Sequence, residues 1–248
     1  MPRGIRDTGP GGVPPDDALA RLLARAHRAV RAGEGPARAL PPGTAGLFAL
    51  DTLTLNALTP DGRPELLWAD PPQGLGIALD TLQYTVGDGP TLEAARSGRA
   101  VTEPDLGMAA PDRWPLFLPA TATTRARAVV ALPLQVGDTT VAVLTGYRTT
   151  PGPLTPALHD ALHQLARILL RALITHLTVP VNGTATDSGL RLYHAEIHQA
   201  TGYLAAQLDI PLAQALLRLR AHAAANGPLT DLARAFLTRR LPPDTLQD

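Results

Sequence analysis

The stretch RAVVALPLQVGDTTVAVLTGYR, Arg127 to Arg148, decides the fold class. Two apolar runs, Ala126 to Val136 and Thr139 to Tyr147, flank the dipeptide Gly137-Asp138. Two residues of that type between β-branched runs specify a hairpin, because glycine and aspartate accept the positive φ angles of a tight turn. Upstream, Leu53, Leu55 and Ala57 recur at period two within Leu47 to Leu58. The turn Thr59-Pro60-Asp61-Gly62 follows, and Glu65 to Ala69 returns as a partner strand. Ala100 to Thr102 reads as a further short strand.

Helical patterns surround these strands. From Asp16 to Val30, Leu19, Leu22, Leu23, Ala26 and Val30 keep one face. Gly74 to Gln83 reads as a short helix or loop. Pro90 opens a helix that stops at Gly98, and Trp114 to Ala122 gives another short one. A long helix runs from Thr155 to about Leu177 with a stripe of Leu158, Leu162, Leu165, Leu169 and Leu173. This order predicts an α+β domain with a central antiparallel sheet flanked by helices. Thr178 to Ser188, TVPVNGTATDS, has linker composition. Everything beyond is helical: Gly189 to Leu208, a second helix after Asp209 (read as its N-cap) to Ala225, and a third from about Thr230 to Arg240. The expected division is a disordered leader 1–15, a sensor-like domain 16–177, a linker 178–188, a three-helix unit 189–242 and a tail 243–248.

Composition narrows the chemistry. The chain has 248 residues, no cysteine, and 22 basic residues, all arginine, against 22 acidic ones. No cysteine means no disulfide, no thiolate metal site and no catalytic thiol. Charge balance argues against a generally basic nucleic-acid binder. No apolar run is long enough to span a bilayer or serve as a signal peptide, so a cytoplasmic protein with no membrane contact is expected. Phosphate-binding loops, nucleophile elbows and zinc-protease motifs are absent. Asp51, Asp70, Asp80, Asp88 and Glu93 lie near turns, where carboxylates are commonly solvated or capping. His159, His163 and His176 read as surface residues of the long helix. No catalytic residue, metal or cofactor is therefore expected.

Three segments together resemble GAF domains of actinobacterial regulators: ELLWADP (65–71), LDTLQYTVGDGPTLEAARSGRAV (79–101) and the hairpin of 127–148. The resemblance implies a six-stranded or similar sheet with a cleft on one face that holds a small ligand. Related sequences often carry cysteine where Thr91 stands, which removes thiol redox chemistry and covalent bilin attachment there. Downstream, EIHQATGYLAAQLDIPLAQALLRLRAHA (196–223) and NGPLTDLARAFLTRRL (226–241) resemble an ANTAR domain. That family implies a dimeric, RNA-binding transcription antiterminator that reads tandem stem-loops.

In this unit Ala200, Ala215 and Ala223 read as packing positions, and Gly202 as a site of close helix approach. Six arginines (191, 218, 220, 234, 239, 240) stand against Glu196, Asp209 and Asp231. RNA loops are read by stacking and hydrogen-bonding side chains, which makes Arg220, Arg218, His198, Gln199, Tyr203 and His222 the candidate RNA contacts. Arg220 alone maps onto a polar family position; Leu216 stands where an aromatic is common and Thr201 where lysine is common. The expected function is a signal-responsive RNA-binding antiterminator and a homodimer; the long leucine stripe fits either a dimer seam or, over its first half at least equally well, packing against the domain's own sheet. The alternative is a signalling scaffold that works through protein contacts.

Overall fold

The computed structural model describes residues 15–59, 61–178 and 194–246. Residues 1–14 of the expected leader 1–15, residues 179–188 of the expected linker 178–188 and the start of the helix expected from Gly189, Arg191 included, lie outside the described residues, while Pro15 and Thr178 belong to helices. Helix α1 (Pro15–Arg31) leads through two single turns, α2 (Pro36–Ala39) and α3 (Thr44–Leu47), into the first hairpin, β1 (Thr52–Leu58) and β2 (Pro64–Asp70). Then come α4 (Leu75–Val86), α5 (Pro90–Ser97), β3 (Val101–Glu103), α6 (Phe117–Thr121), the second hairpin β4 (Ala128–Val136) and β5 (Thr139–Arg148), and α7 (Pro156–Thr178). The strands form one five-stranded antiparallel sheet in the order β2-β1-β5-β4-β3.

Both hairpins fall where the alternation places them, but the first strand begins later than Leu47. Thr44 to Leu47 is helical because Asp70 accepts hydrogen bonds from the Gly43 and Ala45 amides at 3.0 and 2.7 Å, capping that turn. The sheet has five strands, where the family resemblance implied six or a similar number.

Strand β4 is apolar on both faces because both faces are covered. Val130, Leu132 and Leu134 join Leu53, Leu55 and Leu144 in a core beneath α1 and α7. Val129 and Ala131 point the other way, with Val143 and Tyr147, into a second core with Leu79, Trp114 and Phe117 under α4, α5 and α6. Leu162, Leu165, Leu169 and Leu173 are buried in the first core. The stripe is thus consumed by its own domain, the second of its two readings.

Most of the carboxylates noted in the sequence cap or bridge. Asp51 accepts from the Thr149 amide at 2.6 Å, and Asp88 from the amides of Leu116 and Phe117. Glu93 takes the Trp114 indole N–H at 2.7 Å. Asp80 departs from the pattern: it is buried within α4.

Helices α8 (Ala195–Leu208), α9 (Leu212–Asn226) and α10 (Leu229–Leu237) make the C-terminal unit. Its core contains Ile197, Ala200, Leu204, Ala215, Leu219 and Phe236. Ala200, Ala215 and Ala223 are buried, as packing positions should be. Leu216 is a core residue, and Thr201 is buried with its hydroxyl bonded to the Ile197 carbonyl at 2.7 Å. A Cβ added at Gly202 would meet nothing within 4 Å, so no helix approaches closely there. Asp209 ends α8 with φ 50°, ψ 48° and does not cap α9, whose first turn follows Pro211 instead. Pro243–Leu246, expected as a tail, form a 3-10 turn that buries Leu246 in the same core. Among the described residues no helix is long and apolar enough to cross a membrane.

Candidate functional site

Helix α4 holds the centre of the site. Asp80, Gln83 and Tyr84 stand three and four residues apart, so they share one face of the helix, and all three are buried. Gln83 ties the helix to its neighbours: its amide donates to Thr91 Oγ1 and Tyr147 OH, each at 2.9 Å, and its carbonyl accepts from the Thr91 amide at 2.8 Å. Thr91 Oγ1 lies 3.0 Å from Thr145 Oγ1. Thr91 is therefore a hydrogen-bonding post between α5 and β5. Gly89 makes this possible, since at φ 130° a Cβ would stand 2.6 Å from Gln83 Oε1.

Beside this network opens a cavity of about 680 Å³. Leu58, Arg63, Tyr84, Thr91 and Arg96 line it from the sensor-like domain, and Arg220 lines it from α9. The volume falls in the range of small-molecule sites. The wall is thus shared between the two units.

The same junction buries a polar cluster. Glu65 on β2 accepts from the His194 amide at 3.2 Å and from the His198 ring. The His194 ring lies between two carboxylates, with Nδ1 3.6 Å from Glu65 and Nε2 3.6 Å from Asp80. It stacks on Tyr84 at 4.1 Å with an interplanar angle of 15°, while His198 meets Tyr84 edge-on at 5.8 Å. The Arg220 guanidinium sits over the same tyrosine, 5.3 Å from the ring centroid. A Cβ at Gly87 would stand 3.2 Å from Arg220 Nη1, which shows how closely α9 meets the end of α4.

Burial works against the Glu65 carboxylate, but the hydrogen bonds of His194 and His198 outweigh it and bring its pKa down to about 2. Its pairing therefore contributes fully above its ordinary value of 4.5 and is lost as pH falls through about 2. Asp80 goes the other way. Burial raises it to about 6, against the pull of His194 and the Asn56 amide, which donates to Oδ1 at 2.5 Å. Burial also raises the Tyr84 hydroxyl to about 12.

Of the six residues expected to read RNA, His198 and Arg220 converge across Tyr84 and face the other domain. The remaining four lie elsewhere on the helical unit. Arg218 donates to the Leu246 carbonyl at 2.8 Å, Gln199 is exposed, and Tyr203 and His222 are half-buried. Nothing in the sequence pattern marks Glu65, His194 or Tyr84, and the place of Asp80 near a turn suggests a solvated or capping carboxylate. Only Asp80 carried a visible signal, as the single charge in the apolar helix LGIALDTLQYTV. Among the described residues no cluster of three or more histidines and carboxylates could hold a metal ion.

The sequence profile of the GAF domain matches residues 37–173, more than half of the 248 residues. The chain belongs to the GAF family. That membership points to a signal-sensing regulatory role for the domain carrying the cavity.

Solved GAF structures align with it at low identity. The GAF domain of an Acinetobacter phosphoenolpyruvate-protein phosphotransferase is 13% identical, covers 67% of this chain and 99% of its own, and has a TM-score of 0.45. A free methionine-R-sulfoxide reductase from Neisseria meningitidis, in complex with its substrate, is 16% identical over 67% and 95%, with a TM-score of 0.49. The corresponding domain from Coxiella burnetii is 14% identical over 63% and 92%, at 0.46. At those scores the family assignment rests on the sequence match alone. No curated protein matches the chain.

Proposed function

We propose that this GAF protein is a signal-responsive, RNA-binding transcription antiterminator of the cytoplasm, with α8–α10 serving as an ANTAR unit that reads tandem stem-loops. It acts without catalysis. The observation that carries this reading is the docking of the helical unit on the rim of the GAF cavity, with two of its candidate RNA contacts held there. Arg220 and His198 are side chains suited to stacking on or hydrogen-bonding a splayed base, yet in this arrangement both are occupied by Tyr84 and Glu65. A docked unit is then a restrained one, and a signal that favours the released state raises RNA affinity by its differential affinity for the two states.

The test is a titration of the full chain with RNA carrying two hexanucleotide-loop stem-loops, against a scrambled-loop control. Loop-dependent binding is expected, strengthened about tenfold by Glu65→Ala, which is about 1.4 kcal/mol. Adding Arg220→Ala to that variant is expected to reverse most of the gain. Equal affinity for scrambled loops, or no binding in either variant, would overturn the reading. It would leave the scaffold alternative, for which exposed Leu212 and Leu217 on α9 offer an apolar contact.

A further inference from the structure

Arg220 is a cation drawn into the junction without a carboxylate to meet it. Among the described residues it makes no ion pair, and its Nε is buried with no hydrogen-bond acceptor. Burying an unpaired charge is costly, and the tyrosine face beneath it offsets only part of that cost. The neighbouring cations add to the imbalance. Arg63 is satisfied by Asp61 at 2.9 Å, and Arg96 reaches only the Gly87 carbonyl at 3.3 Å. Asp80 Oδ2 and Tyr84 OH, on the same wall, are also buried and make no hydrogen bond. Native structures leave few buried polar atoms unsatisfied. Here three residues from two units that line one cavity each carry such an atom: Arg220 its Nε–H, Asp80 its Oδ2, which stands 3.6 Å from His194 Nε2, and Tyr84 its hydroxyl.

We propose that this cavity binds a small organic oxyanion, a carboxylate or phosphate that also carries a hydroxyl or amine, with Arg220 of the helical unit as its principal counter-charge. The acidic group lies against Arg220 with Arg96 nearby, and the ligand's donor meets Asp80 Oδ2. A guanidinium is suited to this role because its planar fork matches an oxyanion in bidentate fashion. The ligand then bridges the GAF domain and α9 and fastens the docked state. With α8–α10 reading RNA as proposed above, anion and RNA compete for the same guanidinium, each weakening the other by the same factor.

The experiment is calorimetric titration of the full chain, without RNA, using citrate as the carboxylate probe, glycerol 3-phosphate as the phosphate probe and glycerol as the neutral control. At least one anion is expected to bind one per chain, and glycerol is not. Arg220→Ala is expected to weaken that binding tenfold or more, Arg220→Lys to give an intermediate loss, and Arg25→Ala, on the exposed face of α1, none. Thermal melts confirm that each variant is folded. Failure of both anions to bind, or equal binding by Arg220→Ala, overturns the site. With binding established, a stem-loop titration at saturating anion should show weakened RNA affinity; undiminished affinity overturns the sharing of Arg220. Absence of RNA binding in the anion-free chain counts against the RNA reading and leaves the anion site standing.

Discussion

Replacing Glu65 with alanine is expected to release the three-helix unit from the GAF domain. This one carboxylate holds the unit at two points, the His194 amide and the His198 ring, and it is buried while doing so. Removing it leaves the buried His194 ring with Asp80 as its remaining carboxylate partner and frees the partly exposed His198 ring. Breaking a buried pair by deleting one partner costs about 3–5 kcal/mol. Apart from this cluster, the contact rests on Tyr84 and on Arg220 above its ring, so a loss of that size shifts the balance to the undocked form.

Hydrogen exchange reads this directly. Amides in the first turns of α8 should lose protection, while those of β4 and β5 keep theirs, because neither strand carries a residue of the cluster. Small-angle scattering should show an enlarged radius of gyration. Glu65→Gln keeps an acceptor for the His194 amide and should fall between the two. Unchanged protection in α8 together with an unchanged radius would show that the histidine contacts do not hold the docked state.

The elements of the GAF domain were legible because their signals are local. The Gly137-Asp138 turn, the alternation around Leu53 and Leu55, and the leucines of α7 each declare themselves within a single hairpin or helix. Features that depend on packing across the chain were not. Glu65 lies 129 residues from His194 and 133 from His198, and nothing in the ELLWA strand distinguishes a buried acceptor from a solvated glutamate. Residue type marks Asp209 as an N-cap, but its left-handed conformation ends the preceding helix, a choice aspartate allows and sequence does not announce. Gly202 suggested a close helix crossing where the structure leaves open space. Arg220 was singled out for RNA, and its side chain lies at the cavity. Residue type identified a cation able to bind an anion; only the fold shows which partner it faces when the units are docked.

Asp80→Asn is expected to stabilise the protein, increasingly as pH rises above about 4. Asp80 holds its proton up to about 6 because it is buried, whereas in the unfolded chain it releases it near 3.8. Between those values the folded state binds more protons than the unfolded one, so rising pH lowers stability through this group, and the loss levels off above about 6. The difference corresponds to about 3 kcal/mol at neutral pH. Asparagine removes the ionisation yet keeps a side-chain oxygen for the Asn56 amide, and its volume matches the space. Urea unfolding at pH 7.5 should therefore give a variant more stable than the parent by about 2–3 kcal/mol, shrinking to under about 1 kcal/mol at pH 4. The charged carboxylate also faces His194 at 3.6 Å, and the value of about 6 already contains that attraction. A variant less stable than the parent at pH 7.5 would mean that Asp80 serves chiefly as the counter-charge of His194, making it a second clasp of the docked unit alongside Glu65. A gain confined to neutral pH would mean that the fold keeps an uncompensated carboxylate at the cavity wall at the expense of stability, the arrangement expected where a ligand supplies the missing hydrogen bond.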